Sequence, residues 1–174
     1  MSVVRRALAS AVVFTAVACT NDASEQRTGR VEVGAPAPAY ATVSLTGDSV
    51  SLAAQHGKVV LVNIWATWCH PCRTEIPELR SIHARYRDRG LELIGVSVDA
   101  DGSDEAIKAF IRDFQMEFPI WRDPDERIST LFLAVGVPAT FLIDKQGVLR
   151  WRRTGPIAPN DTSLTSAIER ALSS

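Results

Sequence analysis

Two cysteines, Cys69 and Cys72, stand where the most strand-like run of the sequence, 58–65 (KVVLVNIW), gives way to the most helix-like run, about 69–89. At the start of a helix, a spacing of three residues puts both sulfurs on one face and within bridging reach. The unpaired N–H groups of a first helical turn, together with the helix dipole, favour an anion at that end. A thiolate at Cys69 is therefore stabilised, and thiols in such motifs have pKa values as low as about 3.5, against about 8.5 for a free thiol. A low pKa makes Cys69 both a nucleophile and a good leaving group, which is the chemistry of thiol–disulfide exchange. His70 adds to the stabilisation when protonated. Pro71 fits a first turn, where its missing N–H costs nothing.

Other uses of a C-x-x-C pair need more than the sequence offers. Zinc takes four ligands, and the remaining candidates are Cys19, His56 and His83, none in a second closely spaced pair. A purely structural bridge usually closes a longer loop than this one. The acidic group Asp99, Asp101, Asp104 and Glu105 lacks the spacing of a calcium loop and reads as a solvated loop and helix start. No metal or organic cofactor is called for.

The elements that must position the dithiol follow from patterning. Run 58–65 is β-branched and almost wholly apolar, as in a strand buried on both faces. The next helix repeats its apolar positions at Ile76, Leu79, Ile82, His83 and Tyr86, in steps of three and four. Pro77 lies inside it and is expected to kink it. Run 91–98 (LELIGVSV) is a second central strand, reached by a β-α-β crossover. A helix over about 103–117 is expected to be capped by Ser103. A shorter helix covers 125–133, and strands 139–143 and 148–152 flank the turn Asp144-Lys145-Gln146-Gly147. A last helix covers 162–172. Runs 40–45 and 50–52 suggest a small hairpin ahead of all this. The expected fold class is α/β, with a mixed central sheet, helices on both faces and an N-terminal β-hairpin extension.

The chain has 174 residues, enough for one domain with a substantial core, and its 46% hydrophobic and 22% charged residues are those of a globular protein. Arg5 and Arg6 followed by the uncharged apolar run 7–18 read as an export signal over 1–18, too short to span a bilayer, which takes about 20 residues. Without it 17 basic and 20 acidic side chains remain, a balance that argues against a nucleic-acid partner. Cys19 follows Ala16-Val17-Ala18, a run similar to a bacterial lipoprotein box, although Ala16 stands where leucine is usual. Lipidation accounts for the odd cysteine; secretion with a free thiol is the competing reading. Residues 19–33 are polar and are expected to form a flexible tether, with the domain occupying 34–174.

The run Asn63-Ile64-Trp65-Ala66-Thr67-Trp68-Cys69-x-Pro71-Cys72-Arg73-x-Glu75-x-Pro77, joined by Gly136-Val137-Pro138-Ala139-Thr140-Phe141 and by Ile143-Asp144 through Gly147, resembles the TlpA/ResA-like branch of the thioredoxin superfamily. The resemblance implies a thioredoxin-like fold and a membrane-tethered, periplasm-facing dithiol protein that reduces disulfides of exported proteins, apocytochrome c among them. It implies recharging by an inner-membrane thiol-transfer partner. It also implies that Pro138 is a cis-proline beside the dithiol, leaving the Val137 backbone free to pair with an extended substrate, and that Glu75 lies near the second cysteine as a proton acceptor for Cys72. Asn63 takes the strand position where thioredoxin itself has a buried aspartate, which leaves that role to Glu75. Trp68 is expected at the rim of the site and Trp65 in the core. The P-x-x-x-T-x-x-C segment of peroxiredoxins is absent. Two rivals stay open: a dithiol oxidase running the same residues in reverse, and a non-catalytic binding module such as a copper-delivery chaperone.

Overall fold

A computed structural model describes residues 31–174. The expected export signal, Cys19 and most of the expected tether lie outside the described residues. Folded structure begins earlier than the tether boundary at 33: Val31 is buried, and its carbonyl accepts a hydrogen bond from Arg152 Nη1 at 2.6 Å.

Among the described residues, seven strands form one mixed sheet in the order β2-β1-β5-β4-β3-β6-β7. They are β1 (Ala41–Ser44), β2 (Ser49–Ser51), β3 (Val59–Trp65), β4 (Leu91–Ser97), β5 (Ile120–Arg122), β6 (Ala139–Ile143) and β7 (Leu149–Thr154). The helices are α1 (His70–Tyr86), α2 (Asp104–Asp113), α3 (Arg127–Leu131) and α4 (Thr162–Ser173). β3 pairs in parallel with β4 and antiparallel with β6, and every one of its residues is buried, as its apolar run requires. The outer pairs β1–β2 and β6–β7 are antiparallel hairpins, the first being the expected N-terminal extension. The fold is thioredoxin-like, as the sequence implied.

Local chemistry explains most element ends. α1 buries Ile76, Leu79, Ile82 and Tyr86 and runs unbroken through Pro77, with His83 only half-buried. It passes through a 3-10 turn to Gly90, whose φ of 98° suits a residue without Cβ. Ser103 precedes α2 but makes no side-chain cap, contrary to expectation. That helix also ends at Asp113 rather than 117: Gln115 takes a positive φ of 51°, and Met116 N–H donates back to Ile111 O. α3 is confined to five residues by positive φ at Glu126 and Leu133, and Asp123 accepts its Ile128 N–H at 2.7 Å. Asp161 caps α4 by accepting from Ser163 and Leu164 N–H groups.

β5 was not expected. Three residues after Pro119 show no readable alternation, yet they bridge β4 to the N-terminal hairpin. Where β4 and β5 adjoin, Gly95 lies beneath the Trp65 indole; a Cβ there would fall 2.9 Å from Trp65 Nε1 and from Ile120 Cδ1. Trp65 is in turn held by stacking on Phe110, with centroids 4.8 Å apart. Gly95→Ala is therefore expected to overpack the core and destabilise by about 1–3 kcal/mol. Urea denaturation checks this; an unchanged midpoint would show that the indole can step aside.

Candidate active site

β3 ends at the centre of the sheet, and the turn 66–69 carries the chain from it into α1. Cys69 is the N-cap of that helix, with extended backbone (φ −79°, ψ 104°), and its Sγ accepts the Cys72 N–H at 3.1 Å. The sulfur thus occupies the place where a serine or aspartate oxygen commonly caps a helix, facing the unpaired first-turn donors. Cys69 and Cys72 are joined by a disulfide, and both are buried. His70 and Pro71 occupy the exposed first turn of α1. Trp68 is 66% exposed and forms the rim beside Cys69, whereas Trp65 belongs to the core.

Strand register places the proline. Ala139 opposes Ile64 across the β3–β6 ladder, so Pro138 lies at the end of β3 from which the dithiol turn departs. The Val137–Pro138 peptide bond is cis. Pro138 is buried and Val137 half-buried, and the Pro138 carbonyl accepts the Gly155 N–H at 2.8 Å.

Glu75 is one turn along α1 from Cys72 and only 1% exposed, so it is no solvated surface carboxylate. Asn63 Nδ2 donates to its Oε1 at 2.7 Å, and Ile157 N–H donates to its Oε2 at 2.8 Å. Asn63 Nδ2 also donates to Thr140 Oγ1 at 3.0 Å, its direct cross-strand partner. Burial pushes the Glu75 carboxyl up to about 7; the two donors pull it down but do not offset the loss of water. The group exchanges its proton near neutral pH, in the range where a proton relay works best.

Two contributors escaped the sequence reading. Thr140 belonged to the quoted motif without a role. Asp99 lies in an acidic stretch whose pattern suggests a solvated loop, yet it is 2% exposed and accepts from Thr67 N–H at 3.0 Å and Thr67 Oγ1 at 2.6 Å. Its burial depends on the parallel pairing of β3 with β4, which brings Ser97 opposite Trp65. No local pattern announces that.

A buried C-x-x-C disulfide at the N-terminus of the helix that leaves the centre of a thioredoxin-like sheet makes this a thiol–disulfide oxidoreductase. The AhpC/TSA family model matches residues 33–152, and the chain belongs to that family, alongside its ResA-type members. The thiol-disulfide oxidoreductase ResA of Geobacillus kaustophilus is 33% identical over 83% of this chain and 78% of its own length. ResA of Bacillus thuringiensis subsp. konkukian is 35% identical over 68% of this chain and 67% of its own. Among solved structures, a thiol:disulfide interchange protein of the thioredoxin family from Chlorobium tepidum superposes with a TM-score of 0.66 at 27% identity, covering 79% of this chain and 95% of that one.

Proposed function

We propose that the protein is exported and reduces disulfides of other exported proteins, apocytochrome c being the substrate class the resemblance favours. The observation that supports this reading best is the pairing of an N-cap sulfur at Cys69 with the buried Glu75 one turn beyond Cys72. The Cys69 thiolate attacks one sulfur of a substrate disulfide, forming a mixed disulfide and expelling the other sulfur as thiolate. Glu75 takes the Cys72 proton. The Cys72 thiolate then attacks Cys69 Sγ, re-forming the internal disulfide and releasing the second substrate thiol. Two electrons pass from dithiol to substrate, and an inner-membrane thiol-transfer partner returns them. His70 and Pro71 tune the couple, while Trp68, Val137 and Pro138 receive the substrate strand.

The direction of transfer is tested by equilibrating the Cys69–Cys72 couple with defined thiol–disulfide buffers. A reductase is expected nearer the roughly −270 mV of thioredoxin than the roughly −120 mV of a strong periplasmic oxidant. A value near the latter would make the protein an oxidase using the same residues in reverse.

Cys19 is proposed to carry the lipid that holds the domain at the membrane. Cys19→Ser is expected to turn a membrane-associated protein into a soluble or unprocessed one with exchange chemistry intact. Fractionation and intact mass decide it; a soluble wild type with no acyl mass at Cys19 contradicts the anchor alone.

A further inference from the structure

Thr67 is gripped from two sides. The Asp99 carboxylate accepts its N–H and its hydroxyl, while Arg73 Nη2 donates to its carbonyl at 2.7 Å. Asp99 is itself braced. Ser97 Oγ donates to its Oδ2 at 2.8 Å, and Asp99 N–H donates to Ser97 Oγ at 3.2 Å. Behind it the Arg122 guanidinium, with a side chain 8% exposed, reaches the carbonyls of Asp99 and Ala100 at 3.4 Å and pairs with Asp104 at 3.0 Å. A buried carboxylate whose oxygens all meet fixed donors is a rigid support, and hydrogen bonds to it are stronger than neutral ones.

What this support holds is the turn carrying the nucleophile. Cys69 N–H donates to Ala66 O at 3.2 Å, so the turn spans Ala66 to Cys69, and Thr67 is the residue in it that side chains grip. While the disulfide is closed, the covalent bond to Cys72 also fixes Cys69. Once the pair is reduced that tether is gone, and Cys69 Sγ stays over the helix N-terminus only as well as the turn is held. From this geometry we infer that Asp99 is a positioning residue of the dithiol site: through Thr67 it keeps the reduced Cys69 sulfur at the cap position. The inference rests on Cys69 being the exchanging nucleophile. Charged or titratable groups around the turn of the reduced protein are His70, Cys72, Arg73 and Glu75 on α1, with Asp99, Asp104 and Arg122 behind it.

Positioning and plain electrostatics act with opposite signs here. If Asp99 acts by position, Asp99→Ala frees the turn, the thiolate loses its cap donors, and the Cys69 pKa rises. If Asp99 acts as a nearby negative charge, removing it lowers that pKa. The reduced full-length protein and the variants Asp99→Ala, Asp99→Asn and Thr67→Val are alkylated with iodoacetamide across a pH series, with label mapped to each cysteine and urea stability measured in parallel. Asp99→Ala is expected to raise the Cys69 midpoint by about one pH unit, a tenfold loss of thiolate below it. At pH above both midpoints the glutathione equilibrium should move about tenfold toward the disulfide. Thr67→Val, which keeps the charge and the backbone contact, should show a smaller rise. Asp99→Asn, whose one oxygen can still accept both Thr67 donors, should recover most of the loss. A fall in the midpoint for both Asp99 variants overturns the inference in favour of charge, and a loss of stability with an unmoved midpoint overturns it in favour of general structure. In either case wild-type labelling at Cys69 shows that the exchange reading itself stands.

Discussion

Replacing Cys69 by serine is expected to abolish turnover of an insulin-disulfide assay, a loss of at least about a thousandfold, because the hydroxyl has neither the acidity nor the nucleophilicity of the N-cap thiolate. Replacing Cys72 leads to a different failure. Cys69 still caps α1 and still attacks, but nothing resolves the product, so Cys72→Ser should accumulate mixed disulfides with substrate that thiol reductants release. Cys69→Ser should trap far less, since Cys72 lies inside the first turn rather than at the cap. The measurement is non-reducing electrophoresis of each variant incubated with disulfide-containing protein. Equal trapping by the two would erase the distinction between nucleophile and resolver, and stronger trapping by Cys69→Ser would exchange the roles.

Glu75→Gln should move both stability and rate, in opposite directions. The Glu75 carboxyl titrates near 7 in the folded protein and near 4.5 when unfolded, because burial disfavours its charge. Between those values the folded protein holds a proton that the unfolded chain has released, so stability falls as pH rises through the window and levels off above it. The full span corresponds to roughly 3 kcal/mol at most. Glutamine fits the same network: it can accept from Ile157 N–H and donate to Asn63 if that amide turns over, with the Thr140 hydroxyl then donating to Asn63. The variant is therefore expected to lose the pH dependence and to exceed the wild type by roughly 2–3 kcal/mol at pH 8. Resolution by Cys72 should slow by about a hundredfold at neutral pH, and the titration near 7 should leave the rate profile. Denaturation and exchange rates from pH 4 to 9 test both halves. A parallel decline of both proteins with pH would place the proton elsewhere.

Much of this site could be read from residues close in sequence. The dithiol, its proline and Glu75 occupy consecutive turns of one helix, and that helix follows a strand whose β-branched run permits few other structures. What escaped reading depends on partners far along the chain. Glu75 is oriented by Ile157, 82 positions away, in a loop with no pattern of its own. Asp99 sits in an acid-rich stretch that looks solvated until β3 and β4 lie side by side and Thr67 meets it from 32 positions away. The same reason hid β5, whose three residues are strand only because β4 and β1 flank them. Helix ends were misplaced where the backbone departs at a single residue with positive φ, as at Gln115 and Leu133, neither of them a glycine.

In the proposed mechanism Cys69, held at the N-terminus of α1, is the activated thiol of an exchanging pair. Its most direct test is to reduce the full chain, add less than one equivalent of iodoacetamide across a pH series, and map the label by mass. Modification is expected at Cys69 ahead of Cys72, with a midpoint well below the roughly 8.5 of a free thiol. Label divided equally between the two cysteines, or a midpoint at or above that of a free thiol, would contradict it.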